Sequence, residues 1–185
     1  TTMPPRSIET QCYATTFDNE RNSDTLERRA ALELESIKGD GLHPFPSACY
    51  QIMTMLPGNE KCVDCGSACP DWATVSYGAL ICMRCSGRHR GLGVKYSKVR
   101  SVTMDHWSHQ QILQMLEGGN QQLNGFFERH QLSSVGQSGQ DNIKKRYFTK
   151  AASFYRNGIH KHAEKVKGSG LYKGRKVYRK SCERC

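Results

Sequence analysis

The sequence predicts an α+β fold with a small β-sheet near its centre. Three stretches rich in β-branched and aromatic residues, at positions 72–77, 79–81 and 98–104, are typical of short strands. Four cysteines between positions 62 and 85, arranged as two C-x2-C pairs, flank the first two of these stretches. Apolar residues at helical spacing lie before and after them. We therefore expect helices on both sides of a sheet that the cysteines anchor.

The four cysteines predict a metal site. Cys62 and Cys65 form the first pair and Cys82 and Cys85 the second, with sixteen residues between the pairs. Each pair can form a tight turn that aims two sulfurs at one point, and two such turns supply the four thiolates that Zn²⁺ binds in structural sites. We therefore expect one structural zinc ion, with no open position for chemistry. Two disulfides or four free thiols are the alternative, which the paired spacing disfavours.

Length and composition limit the remaining classes. The chain has 185 residues, enough for one domain with tails or for two small domains. No stretch approaches the ~20 apolar residues of a membrane span, and no apolar run of a signal peptide is visible near the start. Without a secretory signal, the nine cysteines indicate a reducing compartment. We therefore expect a cytoplasmic protein that uses its cysteines for a metal.

The net charge of +10 is concentrated near the C-terminal end. Residues 142–185 contain fourteen Lys or Arg and two Glu, whereas residues 1–141 contain thirteen basic and fifteen acidic residues. A segment of this kind favours phosphates, as in nucleic acid or anionic lipid headgroups, or an acidic protein face. A solvated helix face followed by a disordered end would have the same composition, so this alternative stays open.

The N-terminal part of the chain predicts two helices. Ser23-Asp24 is suited to capping a helix whose apolar stripe continues to Ile37. The Pro-Phe-Pro sequence at 44–46 indicates a linker, and a second, short helix is expected from Ser47. The sequence thus predicts an N-terminal extension, residues 1–46, with one helix ahead of the main domain.

Further helices are predicted after the second cysteine pair. Residues 84–90 form the first, which the glycines that follow can end. Asp105 is expected to cap the next helix, and another is expected over residues 120–130. Asp141 opens a long helical tract that continues through Tyr155. After residue 168 the chain is basic and poor in apolar residues, which predicts a tail.

A series of motifs in the same region carries a family resemblance. They are Leu56-Pro57-Gly58-Asn59, Trp72-Ala73-Thr74, Gly78-Ala79-Leu80-Ile81-Cys82, Cys85-Ser86-Gly87-Arg88-His89-Arg90-Gly91-Leu92-Gly93-Val94, Val99-Arg100-Ser101-Val102-Thr103-Met104-Asp105, Trp107 and Gly118-Gly119-Asn120. With them, residues 47–166 resemble the zinc-finger domain of Arf GTPase-activating proteins. Tyr77-Gly78 and Arg88 look most like the Golgi-type branch. Motifs in this number and order are more specific than the cysteines alone.

The resemblance implies both a fold and a function. The fold is a four-cysteine zinc-finger module with a three-stranded sheet surrounded by helices. The function is stimulation of GTP hydrolysis on an Arf-type small GTPase in membrane traffic, at Golgi or other endomembranes. The arginine finger of the family lies five positions after the fourth cysteine, which is Arg90 here. Such a protein regulates an enzyme by supplying a catalytic arginine in trans.

The resemblance also implies partners and contact residues. GTPase contacts are expected at Trp72, Arg88, Lys95 and Asp105, and the GTPase is expected in its GTP form. Trp72 can instead pack on the zinc module, Arg88 can be solvated, and Asp105 can be a helix cap. His89 is expected to make a structural hydrogen bond, because four cysteines already complete the metal site.

Three regions are expected from these observations together. Residues 1–46 form the extension, residues 47–167 the zinc-finger domain, and residues 168–185 a basic tail that contacts anionic membrane peripherally. Cys182 and Cys185 form a third C-x2-C pair, which is either half of a second metal site or two free thiols.

Two alternatives to the GTPase-activating function stay open. GATA-type factors have nearly the same cysteine spacing, and a basic tail suits phosphate contacts. However, the segment after Cys85 is rich in glycine where a groove-reading helix would hold base-reading side chains, so no nucleic acid is expected. The second alternative is an adaptor that keeps the fold and only binds, against which Arg90 argues.

Overall fold

The computed structural model describes residues 20–37, 39, 41–132 and 140–180. The pair Cys182 and Cys185 lies outside these residues, so its role stays a prediction. Among the described residues, none of the helices combines the length and the apolar character that crossing a bilayer requires.

Eight α-helices and three β-strands form the described part of the chain. The helices are α1 (Glu20–Ser36), α2 (Ser47–Met55), α3 (Met83–Arg90), α4 (His109–Glu117), α5 (Asn120–Arg129), α6 (Gln140–Tyr147), α7 (Lys150–Gly168) and α8 (Arg175–Lys180). The strands are β1 (Trp72–Thr74), β2 (Ala79–Ile81) and β3 (Val99–Ser101). The α+β class with a small three-stranded sheet among helices is thereby confirmed.

The sheet is antiparallel and has the order β2-β1-β3. Trp72 in the central strand pairs with Ile81 on one side and Ser101 on the other. The first strand is shorter than the predicted 72–77, because residues Val75–Tyr77 form a 3-10 helix. That helix ends at Gly78, whose φ of +60° lies in the left-handed region that favours glycine.

Gly78 also allows two backbone segments to meet closely. A side chain at Gly78 would clash with the backbone oxygen of Gln114, and its ideal Cβ would lie 3.0 Å from the Cα of Gly118. The Gly119 N–H donates to the Gly78 carbonyl oxygen at 2.7 Å. Asn120 then joins β2, because its Oδ1 accepts from the Leu80 N–H at 2.7 Å. Gly78 and the pair Gly118-Gly119 therefore connect the sheet to the start of α5.

Two clusters of buried side chains form the core. The first lies between α1, α2, α4 and α7 and includes Ala30, Met53, Trp107 and Leu116, all 0% exposed. The second surrounds the cysteines and includes Tyr77, Ile81, Leu123, Phe127 and Tyr147. Helix α1 is thus part of the packed structure, although it precedes the region with the family motifs. It begins at Glu20, before the predicted cap at Ser23-Asp24.

Two further predictions of where helices start were wrong. Ser108, not Asp105, caps α4, and it forms a reciprocal capping box with Gln111. Asp105 instead closes the turn after β3, since its Oδ2 accepts from the Ser101 N–H at 2.7 Å. The predicted continuous tract after Asp141 is two helices, because Thr149 accepts from the Ala152 N–H and starts α7 afresh.

The beginning of the predicted tail is folded onto the core. Tyr172 is 5% exposed, and its hydroxyl donates to the buried carboxylate of Glu117 at 3.0 Å. Arg175 at the start of α8 donates to the Gln122 side chain at 2.8 Å. The low apolar content after residue 168 did not reveal this, because one tyrosine is enough to fix the segment.

Candidate metal centre and arginine site

The four predicted ligands converge on one point. The Sγ atoms of Cys62, Cys65, Cys82 and Cys85 all lie within 4.8 Å of one another. The Cys65 and Cys82 sulfurs are 3.6 Å apart, close to the separation of about 3.8 Å that a tetrahedron with Zn–S bonds of about 2.3 Å requires. Four thiols in this arrangement fit a metal ion of the kind that four-cysteine structural sites hold.

Short backbone hydrogen bonds shape both cysteine turns. The Gly66 N–H donates to the Cys62 carbonyl oxygen at 2.9 Å, and the Ser86 N–H donates to the Cys82 carbonyl oxygen at 2.9 Å. The Val63 N–H donates to Leu80 at 3.1 Å and so ties the first turn to β2, which leads directly into the second. The sequence folds both turns against the sheet, and this proximity brings the two pairs together.

The sulfurs interact strongly enough to change their acidity. A hydrogen bond from the Cys85 thiol lowers the pKa of Cys62 to about 5, and the same bond raises the pKa of Cys85. A thiolate is therefore favoured at the buried Cys62, and a thiolate is the form that binds a metal.

Helix α3 starts at the second cysteine pair and ends at Arg90. Cys82 is its N-cap and Cys85 is fully buried, so the first turn is held by the metal site. Arg90 is its last residue and is exposed to solvent. The guanidinium carbon of Arg90 lies 4.5 Å from the centre of the Trp72 ring, within the range of a cation–π contact. The arginine is therefore presented at the surface in a defined position.

The residue before Arg90 is fixed by a buried network. His89 is 0% exposed and bridges two elements: its Nε2 lies 2.9 Å from Asp64 Oδ2, and its Nδ1 lies 2.8 Å from Ser97 Oγ. Ser97 in turn lies 2.8 Å from the hydroxyl of Thr74 in β1. The expected structural role of His89 is confirmed. Because Arg90 directly follows His89, the network holds its backbone.

Asp64 is the centre of this network and lies between the first two cysteines. Arg146 Nη1 donates to its Oδ1 at 3.1 Å, and the Tyr147 hydroxyl donates to the same oxygen at 2.8 Å. Burial alone would raise the pKa of Asp64, but the charge and hydrogen bonds of His89, together with Arg146 and Tyr147, lower it. Asp64 is therefore a buried carboxylate that ties α6 to the metal site.

Sequence reasoning did not find Asp64, Arg146 or Tyr147. An acidic residue inside a C-x2-C pair, where small or basic residues would suit a cluster of thiolates better, is a signal that could have identified Asp64. Its partners lie 82 and 83 positions later in the chain, and nothing in their own sequence context indicates the contact.

The other predicted site residues lie around the same end of the sheet. Trp72 is 8% exposed and packs in the second core cluster beneath Arg90. Asp105 lies near the neighbouring strand β3, where it accepts a hydrogen bond from the N–H of Ser101, the residue that pairs with Trp72. Arg88 is half-buried, with its Nη1 4.0 Å from Cys85 Sγ. Lys95 is exposed, and its ammonium lies 5.9 Å from the Tyr96 ring centre. Roles in binding a partner stay predictions for all four residues.

Large apolar side chains are exposed in the segments that carry these residues. Met83 at the start of α3 is 72% exposed, Val94 in the loop after Arg90 is 86% exposed, and Met104 beside Asp105 is 68% exposed. These side chains add apolar surface to the segments that carry the predicted contact residues. The sequence did not identify them, since each looks like an ordinary core residue.

The family can be decided from comparison with known proteins. Residues 47–164, more than half of the chain, match the ArfGap family, which is described as "Putative GTPase activating protein for Arf". This chain belongs to the ArfGap family. The matched residues contain the four cysteines, Arg90 and the whole sheet, and they agree with the resemblance that the motifs carry.

Individual ArfGap proteins support this assignment. The ADP-ribosylation factor GTPase-activating protein GCS1 of Saccharomyces cerevisiae is 50% identical over 77 residues, 42% of this chain and 22% of that protein. The ADP-ribosylation factor GTPase-activating protein 3 of Mus musculus is 40% identical over 113 residues, 60% of this chain and 20% of that protein. This chain therefore spans about a fifth of the length of these curated relatives.

A solved structure has a similar fold. The crystal structure of a "putative GTPase activating protein for ADP ribosylation factor" from Cryptosporidium parvum superposes with a TM-score of 0.55 and 28% sequence identity. The superposition covers 65% of this chain and 96% of that one. The zinc-finger region thus has the architecture of an ArfGap domain, whereas α1 and α8 lie outside the residues that match the family.

Proposed function

We propose that this chain stimulates GTP hydrolysis on an Arf-type small GTPase by inserting Arg90 into its active site. The observation that supports this most directly is the placement of Arg90. Its guanidinium is exposed, yet its helix starts in the metal site, and the preceding residue is fixed by the Asp64 network. A charge that is already in position needs little reorganisation when the transition state forms.

The chemistry requires from this chain a guanidinium group, which supplies a positive charge and a planar fork of donors to the phosphate oxygens. Phosphoryl transfer spreads negative charge over phosphate oxygens, and an arginine supplied in trans can raise the rate by about 10³ to 10⁵. The attacking water is expected to be oriented by a glutamine of the GTPase itself. The chain is then a regulator that completes the active site of another protein.

Zinc is the metal that we propose for Cys62, Cys65, Cys82 and Cys85. Four sulfur ligands within 4.8 Å of one another fit its tetrahedral preference. When bound, the ion contributes free energy of folding and holds the first turn of α3. The metal thus has a structural role, and the side chain that acts on the GTPase is Arg90.

The surface around Arg90 is the proposed contact with the GTPase in its GTP form. Arg88, Lys95 and Asp105 supply polar groups at its edge, and Trp72 supports the arginine from below. The exposed Met83, Val94 and Met104 supply apolar area in the same segments.

We further propose a role in membrane traffic, with the protein in the cytoplasm and bound peripherally at Golgi or other endomembranes. Relatives named as ADP-ribosylation factor GTPase-activating proteins support the traffic role, and the basic residues of positions 142–185, apart from the buried Arg146, support contact with anionic lipid. Deleting residues 171–185 is a poor test of that contact, since it would also remove the buried Tyr172. Point changes are required.

The test is single-turnover GTP hydrolysis by a soluble, truncated Arf-type GTPase, measured with and without the full chain. The proposal predicts a rate that rises and saturates with the concentration of the chain. Binding without acceleration would instead support the adaptor alternative. A DNA shift assay in parallel tests the nucleic-acid alternative, for which we expect no specific complex.

A further inference from the structure

Helix α7 carries one large aromatic side chain that the fold does not use. Phe154 is 73% exposed, although it lies in the middle of a long amphipathic helix. Tyr155, the next residue, is 7% exposed and packs among the aromatic rings of the second core cluster. A single exposed apolar side chain is common on protein surfaces. Phe154 is distinguished by the lysines that share its face of the helix.

Lysines lie in line with Phe154 on the same face. Lys150, Phe154, Lys161 and Lys165 follow at spacings of four, seven and four residues, which places them within about 60° of one another around the helix axis. All four are exposed, and the buried residues of the helix lie on the opposite face. With a rise of about 1.5 Å per residue, the row extends over about 22 Å.

The charge of this face is mainly positive. Glu164 is the acidic residue of α7, and it lies beside the row, where it pairs with His160 at 3.4 Å on the surface. The ammonium groups of the three lysines are on long, flexible side chains. No residue of the row lines the cavity beside Leu34 and Leu113 or the cavity beside Ile52 and Arg129.

We infer that this row, Lys150–Phe154–Lys161–Lys165, binds the surface of an anionic lipid bilayer, with the Phe154 ring inserted at the level of the headgroups. Lysines near an anionic bilayer are attracted to its headgroups, and an aromatic side chain beside them can insert its ring at the headgroup level. An acidic protein would need a pocket or a complementary shape for the ring, whereas a fluid bilayer accommodates a single projecting side chain.

The row is rigidly connected to the loop that follows Arg90. Arg156, on α7, donates to the Tyr96 carbonyl oxygen at 3.2 Å and to the Tyr77 hydroxyl at 3.3 Å. A chain that lies on a bilayer through α7 would therefore hold the arginine loop at a fixed distance from that surface. The row rests on the proposed function, because it assigns the proposed lipid contact to one helix face. Lipid binding is measured without any GTPase, so its failure can be distinguished from a failure of GTPase stimulation.

The test is co-sedimentation of the full, zinc-loaded chain with vesicles of phosphatidylcholine containing phosphatidylserine, and with phosphatidylcholine alone. We expect binding to the anionic vesicles only, weakened by added salt. Phe154→Ala should reduce the partition coefficient about tenfold, and Lys161→Glu with Lys165→Glu by at least about 25-fold, since each lysine near the surface contributes about fivefold. The exposed controls Leu32→Ala and Lys61→Glu should bind like the original chain.

A second measurement separates insertion from electrostatic attraction. In Phe154→Trp, the new indole is exposed, whereas Trp72 and Trp107 are buried and insensitive to lipid. Anionic vesicles should shift its emission to shorter wavelength. The inference is overturned if the chain does not bind anionic vesicles, if the α7 variants bind as well as the two controls, or if the indole emission does not shift. An acidic protein partner would then be the better explanation of the row.

Discussion

Replacing Asp64 by Asn tests whether the buried network carries the stability of the site. The side chains of Asp64 and Arg146 are 2% and 5% exposed, so the change removes a buried carboxylate charge from its contact with the guanidinium. Breaking a buried ion pair in this way costs about 3–5 kcal/mol. The asparagine oxygen can still accept from Arg146 and Tyr147, which favours the lower end, about 3 kcal/mol of unfolding free energy.

The assay is urea unfolding of the zinc-loaded chain, with zinc content measured before and after, because Asp64 lies between two ligands. Glu164→Gln is the matched control. It removes a carboxylate from the surface pair with His160, in which the histidine and glutamate side chains are 52% and 56% exposed, and should change stability by no more than about 0.5 kcal/mol.

A double variant makes the test sharper. Arg146→Met removes the guanidinium that contacts Asp64 directly, so the two changes together should cost at least about 1 kcal/mol less than the sum of the single changes. If Asp64→Asn costs no more than the Glu164 control, or if the two changes are additive, the reasoning about this network is refuted.

Further expectations concern the metal, the turns and the C-terminal segment. Elemental analysis should find one zinc ion per chain, at the four-cysteine site, and circular dichroism should show that a chelator unfolds the domain. A chain that is folded and active without zinc would contradict this. Gly78→Ala should lower the melting temperature through a backbone clash and a positive φ, whereas Gly158→Ala, with open space around it in α7, should raise it slightly; equal effects would exclude the clash. Tyr172→Ala should lower the free energy of unfolding, measured with denaturant, by about 3–5 kcal/mol. An unchanged free energy would show that residues 171–180 do not stabilise the fold. Trp72→Phe should keep the fold but slow GTP hydrolysis, because the weaker ring holds Arg90 less well; an unchanged rate would show that the ring contact is not needed.

The metal site and the fold class could be predicted because their signals are local. C-x2-C spacing dictates the geometry of a cysteine turn whatever surrounds it, and the residues of α2, α3 and α5 predict their own helices. The position of Arg90 on the short helix after Cys85 is also local, whereas its predicted role came from the family resemblance.

The parts that were missed depend on contacts between distant segments. Asp105 has the chemistry of a helix cap, but Ser108 is nearer to α4 and takes that role. Tyr172 lies in a basic stretch, and its burial depends on distant residues: the first core cluster around its ring and Glu117 on α4 at its hydroxyl. Arg146 looks like one more basic residue until Asp64 is found beside it. Composition describes such residues correctly and still cannot name their partners.

The central claim is that Arg90 supplies the charge that accelerates GTP hydrolysis. Lysine at this position keeps the charge but loses the planar fork that can contact two phosphate oxygens. The measurement is single-turnover hydrolysis over a concentration series of the chain, which separates maximal rate from half-saturation.

Arg90→Lys should bind the GTP-loaded partner almost normally but lose most of the stimulation, and Arg90→Ala should lose more. Arg88→Ala, two positions away on the same helix, should raise the half-saturating concentration and leave the maximal rate nearly unchanged. If Arg90→Lys retains the full maximal rate of the original chain, Arg90 is not an arginine finger, and the chain is better explained as an adaptor.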